Sequence, residues 1–242
     1  MARSKRVLVL QHVDVEHPGV FRDFLAADGY SFDAVELDGG EVIPPLGDYA
    51  ALWVMGGPMD VWEEVEYPWL VTEKRAIYDA VITRGMPYLG FCLGHQLLAA
   101  ALGGEVGRAL LPEVGVMPVS LNPAGVASAY FAGLPPSFDV LQWHGAEVGT
   151  PPPGAVVLAS SPHCANQAMH IGTRAFSMQF HVEITASTAA DWNAIPAYRA
   201  ALESTLGASG ADALVRACVA GMPAFNANAR AIYENWKVAS GF

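Results

Sequence analysis

The sequence predicts a three-layer α/β fold, in which a mostly parallel central sheet lies between two layers of helices and carries added antiparallel hairpins. In the first part of the chain, short apolar segments alternate with segments of helical spacing, as in a parallel sheet that is covered on both faces. The middle of the chain instead has β-rich segments separated by Gly/Pro turns, which is typical of hairpins. Because 52% of the 242 residues are hydrophobic and only 15% are charged, the chain can bury a substantial core and is not intrinsically disordered.

The parallel part of the sheet comes from the first half of the chain. Arg6–Val13 is a short β-rich run that predicts the first strand, and Pro18–Ala27 has the spacing of a helix. The later strands are predicted at Phe32–Leu37, Tyr49–Met55 and Met86–Phe91, and the later helices at Trp69–Arg84 and Leu93–Leu102. Gly56-Gly57-Pro58 ends the third strand. Ligands of such folds bind at the carboxyl ends of strands, where this glycine pair and Cys92 both lie.

The second half of the chain supplies the hairpins and a helical tail. The hairpin strands are predicted at Gly104–Ser120, Asp139–Val148, Val156–Ser160 and Ala175–Ile184. The tail after Thr185 is Ala-rich and helical, with expected breaks near Gly207–Gly210 and at Gly221-Met222-Pro223. We expect one domain over residues 1–185 and a C-terminal helical extension over residues 186–242 that packs on the same domain.

Charge and cysteine usage exclude several classes of function. The formal net charge of −11 opposes binding to nucleic acid, whose phosphates need a basic surface. No apolar segment is long enough to span a membrane, and the run Val7–Leu10 is too short for a signal peptide. Cys92, Cys164 and Cys218 are far apart and form no CxxC pair, so we expect a reducing compartment, the cytoplasm. Because His12, His17, His163 and His170 have no partner at ligand spacing, no metal site is expected.

The stretch YLGFCLGHQ places Cys92 between two glycines, where a predicted strand turns into a predicted helix. Gly90 and Gly94 lack the Cβ atoms that would clash in so sharp a turn. The residue at the apex of such a nucleophile elbow is strained and exposes its side chain above the sheet. Because the helix N-terminus favours a thiolate, Cys92 is predicted as a nucleophile. The N–H of Leu93 is then free to face a developing oxyanion. The alternative is that Cys92 is a small buried apolar residue in a tight junction.

A candidate base for this nucleophile occurs in AFSMQFHVEI, where apolar and polar residues alternate from Ala175 to Ile184. In a strand this alternation places His181 and Glu183 on the same face, with α-carbons roughly 6.5 Å apart. A glutamate at that distance can orient an imidazole that removes a proton from a cysteine. Taken alone, a polar face that meets water on an edge strand explains the pattern better; the occurrence of the pattern together with the elbow favours a catalytic role. His95 faces away from the thiol on the following helix and is predicted to have a structural role.

These motifs resemble the class I glutamine amidotransferases, which have a Cys-His-Glu triad. Gly90, Cys92, Gly94 and Gln96 match the Gly-x-Cys-x-Gly-x-Gln pattern of that family. His181 and Glu183 match its His-Pro-Glu pattern, although Val182 replaces the proline, which affects backbone stiffness rather than chemistry. The resemblance covers roughly Val7 to Thr185 and implies the flavodoxin-like fold of that family.

The resemblance also implies site residues and a reaction. VMGGPMDVWEE is similar to the oxyanion loop of the family, so Gly57 is carried over as a backbone donor beside Leu93, with Gly56, Gln96 and His144 as substrate-binding residues. Cys92 would attack the side-chain amide of glutamine or another γ-glutamyl bond, His181 would protonate the leaving amine, and water would cleave the γ-glutamyl thioester. No metal and no organic cofactor is expected.

The acceptor of the ammonia stays open, because the chain has no synthetase domain and no GxxxxGK[ST] phosphate-binding loop. One hypothesis is a glutaminase subunit that works with a separate synthetase subunit. A second is a free-standing hydrolase of γ-glutamyl peptides. A third, from another class, is a catalytically inactive regulatory or interaction protein; the retention of Cys92, His181 and Glu183 argues against it.

Overall fold

A nine-stranded sheet forms the centre of the protein, for which the computed structural model describes residues 4–207 and 209–242. Its strands in chain order are β1 (Arg6–Gln11), β2 (Ser31–Glu36), β3 (Ala51–Val54), β4 (Tyr88–Phe91), β5 (Glu105–Leu121), β6 (Ser137–Thr150), β7 (Ala155–Ser160), β8 (Ala168–Ile171) and β9 (Ala175–Met178). Their order across the sheet is β2-β1-β3-β4-β9-β8-β7-β5-β6. The first five strands in that order are parallel and the remaining four pair antiparallel. A mostly parallel sheet with antiparallel additions is therefore confirmed.

Seven α-helices surround this sheet within the described ranges. They are α1 (Phe21–Ala27), α2 (Trp69–Tyr78), α3 (Leu93–Ala101), α4 (Pro123–Ala127), α5 (Thr188–Asn193), α6 (Pro196–Leu206) and α7 (Gly210–Ser240). Alternate residues of the parallel strands face opposite sides, as period-two geometry requires. Val7 and Val9 of β1 pack in one core with α1 and α7, whereas Leu8 and Leu10 pack in another with α2 and α3. These two cores confirm the three-layer α/β class.

The predicted strand at Ala175–Ile184 is wrong in its length. β9 ends at Met178, and the chain bends at 179–180. Beyond the bend, His181 forms only an isolated antiparallel bridge with Leu141. The alternation of residue types does not correspond to a wet and a dry face, because Gln179, His181 and Glu183 are all at least 98% buried.

Three smaller differences concern elements away from that bend. β8 is not among the predicted strands. The helix predicted at Trp69–Arg84 ends its α-helical part at Tyr78 and continues as a π-helical turn through Thr83. The break expected at Gly221-Met222-Pro223 is wrong, since α7 runs through Pro223. A proline inside a helix removes one backbone hydrogen bond, and the packing of α7 in two cores outweighs that loss.

The C-terminal segment contributes to a third core at one end of the sheet. Side chains of α5, α6 and α7 pack there against Leu141 and Trp143 of β6 and against Ile184. The expected break before α7 is found, since α6 ends at Leu206 and α7 begins at Gly210. No helix within the described residues has the length and apolar character that a membrane span requires.

Candidate active site

Cys92 lies at the junction of β4 and α3 in a strained backbone conformation. Its φ of 48° and ψ of −102° make it the one non-glycine residue with positive φ in the described part of the chain. The tight junction explains the flanking glycines, because a Cβ on Gly94 would lie 2.1 Å from the Val54 carbonyl oxygen and one on Gly90 would lie 2.8 Å from the Gly94 oxygen. Such strain costs on the order of 1–3 kcal/mol and concentrates at functional sites.

His181 and Glu183 meet in spite of the early end of β9. Nδ1 of His181 lies 2.6 Å from Oε1 of Glu183, and Oε2 accepts a 2.9 Å hydrogen bond from the N–H of Val182. The backbone of His181 is fixed by two hydrogen bonds to Leu141, at 2.9 and 3.2 Å. Since a carboxylate only accepts hydrogen bonds, Nδ1 carries the proton and Nε2 is the nitrogen available for chemistry.

Nε2 of His181 is buried and makes no hydrogen bond of good geometry with any described residue. Burial lowers the pKa of His181. Glu183 and the neighbouring Cys92 side chain raise this pKa by more than burial lowers it, so the net pKa lies well above its ordinary value. The sulfur is therefore close enough to favour the imidazolium, although the two groups are not aligned as a hydrogen bond. Catalytic hydrogen bonds of free enzymes are commonly loose and tighten when substrate binds.

Two backbone N–H groups beside Cys92 have no hydrogen-bond partner in residues 4–207 and 209–242. The N–H of Leu93 is the first of α3, whereas those of Gly94, His95 and Gln96 are all bonded to backbone oxygens. The N–H of Gly57 belongs to the loop after β3 and is likewise unbonded. A Cβ on Gly57 would lie 3.0 Å from a side-chain carbon of Leu93, so the two residues are close neighbours.

A cavity of about 210 Å³ adjoins this region and is lined by Cys92, Gly57, Gln96 and His144, among others. Gln96 donates to the Ala146 carbonyl at 3.1 Å and to Oε1 of Gln179 at 3.0 Å. Its own side-chain oxygen has no partner in the described part of the molecule. Gly56 adjoins the cavity through the peptide that it shares with Gly57.

His144 lines the same cavity but uses both of its ring nitrogens within the protein. Nδ1 lies 2.9 Å from the Ala146 carbonyl oxygen and Nε2 lies 3.1 Å from Oε2 of Glu113. The assignment of His144 to substrate binding stays a prediction, and the geometry leaves neither nitrogen free for a direct hydrogen bond to a ligand.

One wall of the site consists of residues that the sequence does not single out for it. Trp192 of α5 lies edge-on to the His181 ring, with 4.6 Å between centroids. Tyr198 of α6 lines the cavity and donates a 2.5 Å hydrogen bond to Glu16. Glu16, His181 and Glu183 offer polar atoms within 4.8 Å of one another, and burial raises the pKa of Glu16. Glu16 and Tyr198 are 182 positions apart, so no local signal could have paired them.

The remaining cysteines and His95 differ from the triad residues in their surroundings. Burial raises the pKa of Cys164 to about 12 and that of Cys218 to about 11, so both remain thiols at neutral pH. His95 is fully buried, with Nδ1 2.9 Å from Ser177 and Nε2 3.0 Å from the Asn166 carbonyl. Burial lowers its pKa to about 3. It connects α3 to β9 and to the segment before β8, as a structural histidine does.

Known proteins share this architecture and much of the sequence. Residues 25–192 match the family Glutamine amidotransferase class-I. The chain is 36% identical over 153 residues to one of the subunits of a glutamine-hydrolyzing GMP synthase from Sulfurisphaera tokodaii, a match that covers 63% of this chain and 77% of that protein. It is 32% identical over 184 residues to the putative glutamine amidotransferase-like protein YfeJ from Salmonella typhimurium, which covers 74% and 76% of the two chains.

A solved structure extends the likeness to the C-terminal helices. The crystal structure of a glutamine amidotransferase from Thermotoga maritima superposes with a TM-score of 0.85 at 30% identity, covering 96% of this chain and 97% of that one. The uncovered 4% is shorter than the segment after Thr185, so most of that segment has a counterpart there. With a family match over more than half of its length and this agreement in fold, the chain belongs to the class I glutamine amidotransferases.

Proposed function

We propose that this protein hydrolyses the side-chain amide of glutamine through a γ-glutamyl thioester on Cys92 and releases ammonia for transfer to an acceptor. The observation that carries the proposal is the strained Cys92 at the N-terminus of α3, beside a buried His181–Glu183 pair with an open Nε2. Nucleophile, base and orienting carboxylate are the three parts that cysteine-dependent acyl transfer needs.

In the first half of the reaction the Cys92 thiolate attacks the side-chain carbonyl carbon of glutamine. The negative charge that develops on the oxygen is stabilised by the N–H groups of Gly57 and Leu93. His181, as an imidazolium, donates its Nε2 proton to the amide nitrogen, the carbon–nitrogen bond breaks and ammonia leaves. The raised pKa of His181 keeps the donor protonated at neutral pH.

In the second half water cleaves the thioester. His181, now neutral, removes a proton from the water, whose oxygen attacks the acyl carbon, and glutamate leaves as the carbon–sulfur bond breaks. Glu183 stabilises the imidazolium that forms again. Gln96 would accept a hydrogen bond from the α-amino group of the substrate, a role that its unpartnered side-chain oxygen and its place in the cavity lining support.

The relatives suggest how the ammonia is used. A protein named as one subunit of a glutamine-hydrolyzing GMP synthase shares 36% of aligned residues with this chain, and a subunit by definition works with another chain. We therefore include in the proposal a separate synthetase partner that consumes the ammonia. The nature of its acceptor is not part of the proposal.

A substrate panel tests the proposal. The purified chain is incubated with glutamine and, separately, with γ-glutamyl dipeptides, and ammonia, glutamate and the covalent adduct on Cys92 are measured. We expect glutamate from glutamine and an adduct with a glutamine-derived electrophile on Cys92 alone. Cys164→Ala is the matched control, because a buried thiol with a pKa of about 12 should be dispensable. Rapid cleavage of dipeptides with no action on glutamine would replace the proposal by a γ-glutamyl hydrolase, and no adduct at all would indicate an inactive copy of the fold.

A further inference from the structure

A second buried histidine–carboxylate pair lies directly behind the proposed oxyanion site. His12 follows β1 and is fully buried. Its Nδ1 lies 2.7 Å from the Gly56 carbonyl oxygen and its Nε2 lies 2.9 Å from Oε1 of Glu73, a fully buried residue of α2. The sheet register explains the first contact, since Leu10 of β1 pairs with Val54 of β3. His12 and Gly56 each follow two residues later.

The partners of His12 define its protonation. A carbonyl oxygen can only accept hydrogen bonds, so Nδ1 of His12 carries a proton, and Nε2 faces a carboxyl oxygen of Glu73. Burial lowers the pKa of His12, but the charge and hydrogen bond of Glu73, the hydrogen bond to Gly56 and the charge of Glu16 together outweigh burial, and the net pKa is raised. The raised pKa favours the imidazolium form of His12, whose Nδ1 donates a charge-assisted hydrogen bond to the Gly56 carbonyl.

The orientation of one peptide follows from that bond. The C=O and N–H of a trans peptide point in opposite directions, so the Gly57 N–H faces away from His12. A Cβ on Gly57 would lie 2.8 Å from the Cβ of His12 and 3.0 Å from a side-chain carbon of Leu93, so both side chains pack closely against this glycine. The Gly57 N–H has no partner in the described residues, and Gly57 lines the cavity with Cys92.

We propose that His12 and Glu73 are positioning residues that lock the Gly56–Gly57 peptide with its N–H toward the Cys92 cavity and polarise it as an oxyanion donor. Without the imidazolium, this glycine pair is free to rotate, since glycine tolerates most backbone conformations. Donation to the carbonyl of a peptide also strengthens the N–H of the same peptide, because hydrogen bonds in a chain polarise one another. The inference rests on the proposed glutaminase function and concerns the rate of acylation rather than the binding of glutamine.

A double variant, His12→Leu with Glu73→Met, tests the role without leaving an unpaired buried charge. We expect kcat for glutamine to fall about 10- to 100-fold with KM changed by less than about twofold, since loss of an oxyanion donor costs on the order of 100-fold or more. Alkylation of Cys92 by iodoacetamide forms no oxyanion, so its rate should stay within about twofold of the parent.

A second double variant, His12→Asn with Glu73→Met, separates positioning from packing. The amide nitrogen of asparagine can replace Nδ1 as donor to the Gly56 carbonyl, so this variant should recover most of the lost kcat. A role in packing alone would be served better by leucine and would give the reverse order. Trp69→Leu is the control, because Trp69 stacks on the His12 ring, with 5.4 Å between centroids, and makes no hydrogen bond to the Gly56–Gly57 peptide among the described residues.

Three results would overturn the inference in a parent enzyme that does hydrolyse glutamine. These are a kcat of His12→Leu/Glu73→Met within about threefold of the parent, an equal loss of kcat and alkylation rate, and a lower kcat in the asparagine variant than in the leucine variant. If the parent itself is inactive on glutamine, the proposed function fails instead.

Nitrogen NMR of the parent tests the geometry without any turnover or variant. Both ring nitrogens of His12 should be protonated between about pH 6 and pH 8. An unprotonated Nδ1 would contradict the inference, because the hydrogen bond to Gly56 could not exist.

Discussion

Two buried histidines are each paired with a glutamate: His144, which lines the cavity, and His181, whose pKa responds to the neighbouring Cys92. They differ in how many of their ring nitrogens are occupied. His144 has an acceptor on each nitrogen, the Ala146 carbonyl and Glu113. Within the described residues His181 has an acceptor only on Nδ1, and its Nε2 is open. A histidine held at both nitrogens can orient its neighbours but cannot exchange a proton without breaking a bond, whereas one held at a single nitrogen can. The number of occupied nitrogens therefore separates positioning from acid–base chemistry here better than burial does.

The largest expected effect is the loss of kcat on replacing Cys92, which tests whether Cys92 is the nucleophile that exchanges a proton with Nε2 of His181. Cys92→Ala should lower glutaminase kcat on the order of 10⁴-fold or more, as loss of a nucleophile does, while the fold is retained because alanine is no larger. Stopped assays for glutamate and far-UV circular dichroism measure the two quantities. Residual activity within about tenfold of the parent would remove Cys92 from the proposed mechanism.

Replacing His181 and His144 in turn by asparagine compares the two histidines directly. His181→Asn should lower kcat by about 10²- to 10⁴-fold, the range for loss of a general acid–base group. His144→Asn should cost less than about tenfold, because it changes a wall of the cavity and no proton transfer. Steady-state kinetics with glutamine measure the two losses of kcat. Equal losses would mean that His144 takes part in chemistry or binds substrate, and the comparison would fail.

The pH dependence of kcat sharpens the comparison between the two glutamates. Glu183 raises the pKa of His181, so Glu183→Gln should move the basic limb of the profile to lower pH, where the proton donor is lost earlier. The loss of kcat near neutral pH should be on the order of 100-fold. Glu113→Gln is the matched control and should leave that limb in place. An unmoved limb in Glu183→Gln would show that another group controls it.

A stability effect is expected at the His144–Glu113 pair. Burial raises the pKa of Glu113, but hydrogen bonds from His144 and Ser161 outweigh it, and the net pKa is lowered. A lowered folded-state pKa stabilises the fold above the unfolded value, about 4.3, and this contribution is lost as the pH falls through the folded value. The difference in unfolding free energy between parent and Glu113→Gln should therefore be largest near neutral pH and vanish in acid. Urea titrations at several pH values measure it, and a difference that grows in acid would contradict the sign.

The smallest effect concerns the strain at Cys92. At a φ of 48° the backbone is unstrained for glycine and strained for alanine. The free energy of unfolding of Cys92→Gly should therefore be about 1 kcal/mol higher than that of Cys92→Ala. Chemical denaturation of the two inactive variants under the same conditions measures this difference. If Cys92→Gly is the less stable variant, side-chain packing at position 92 contributes more to stability than the relief of backbone strain does.

The elbow and the triad partners could be predicted from sequence for local reasons. Gly90 and Gly94 flank Cys92 because backbone atoms occupy the space that a Cβ would need at these positions. This steric requirement involves residues close in sequence, so a short motif reveals it. The pair His181 and Glu183 is also local. The strand predicted around it is too long because two-residue alternation also occurs where both faces are buried.

Glu16, Glu73, Glu113 and Tyr198 could not be predicted, because each finds its partner far along the chain. Glu73 lies 61 positions from His12, and Glu113 lies 31 from His144. His12 has no partner at short spacing in the sequence, and a tertiary contact does not need one. The cytoplasmic location and the boundary at residue 185 stay predictions.

The contact between Trp192 and His181 bears on how this chain could be shortened. One face of the His181 imidazole is covered by Trp192 of α5, which follows Thr185, and Trp143 packs in the same core as that helix. A chain that ends at Thr185 would expose both the His181 ring and the Trp143 side chain to solvent. Removal of the C-terminal segment should therefore impair the proposed site as well as the stability of the fold.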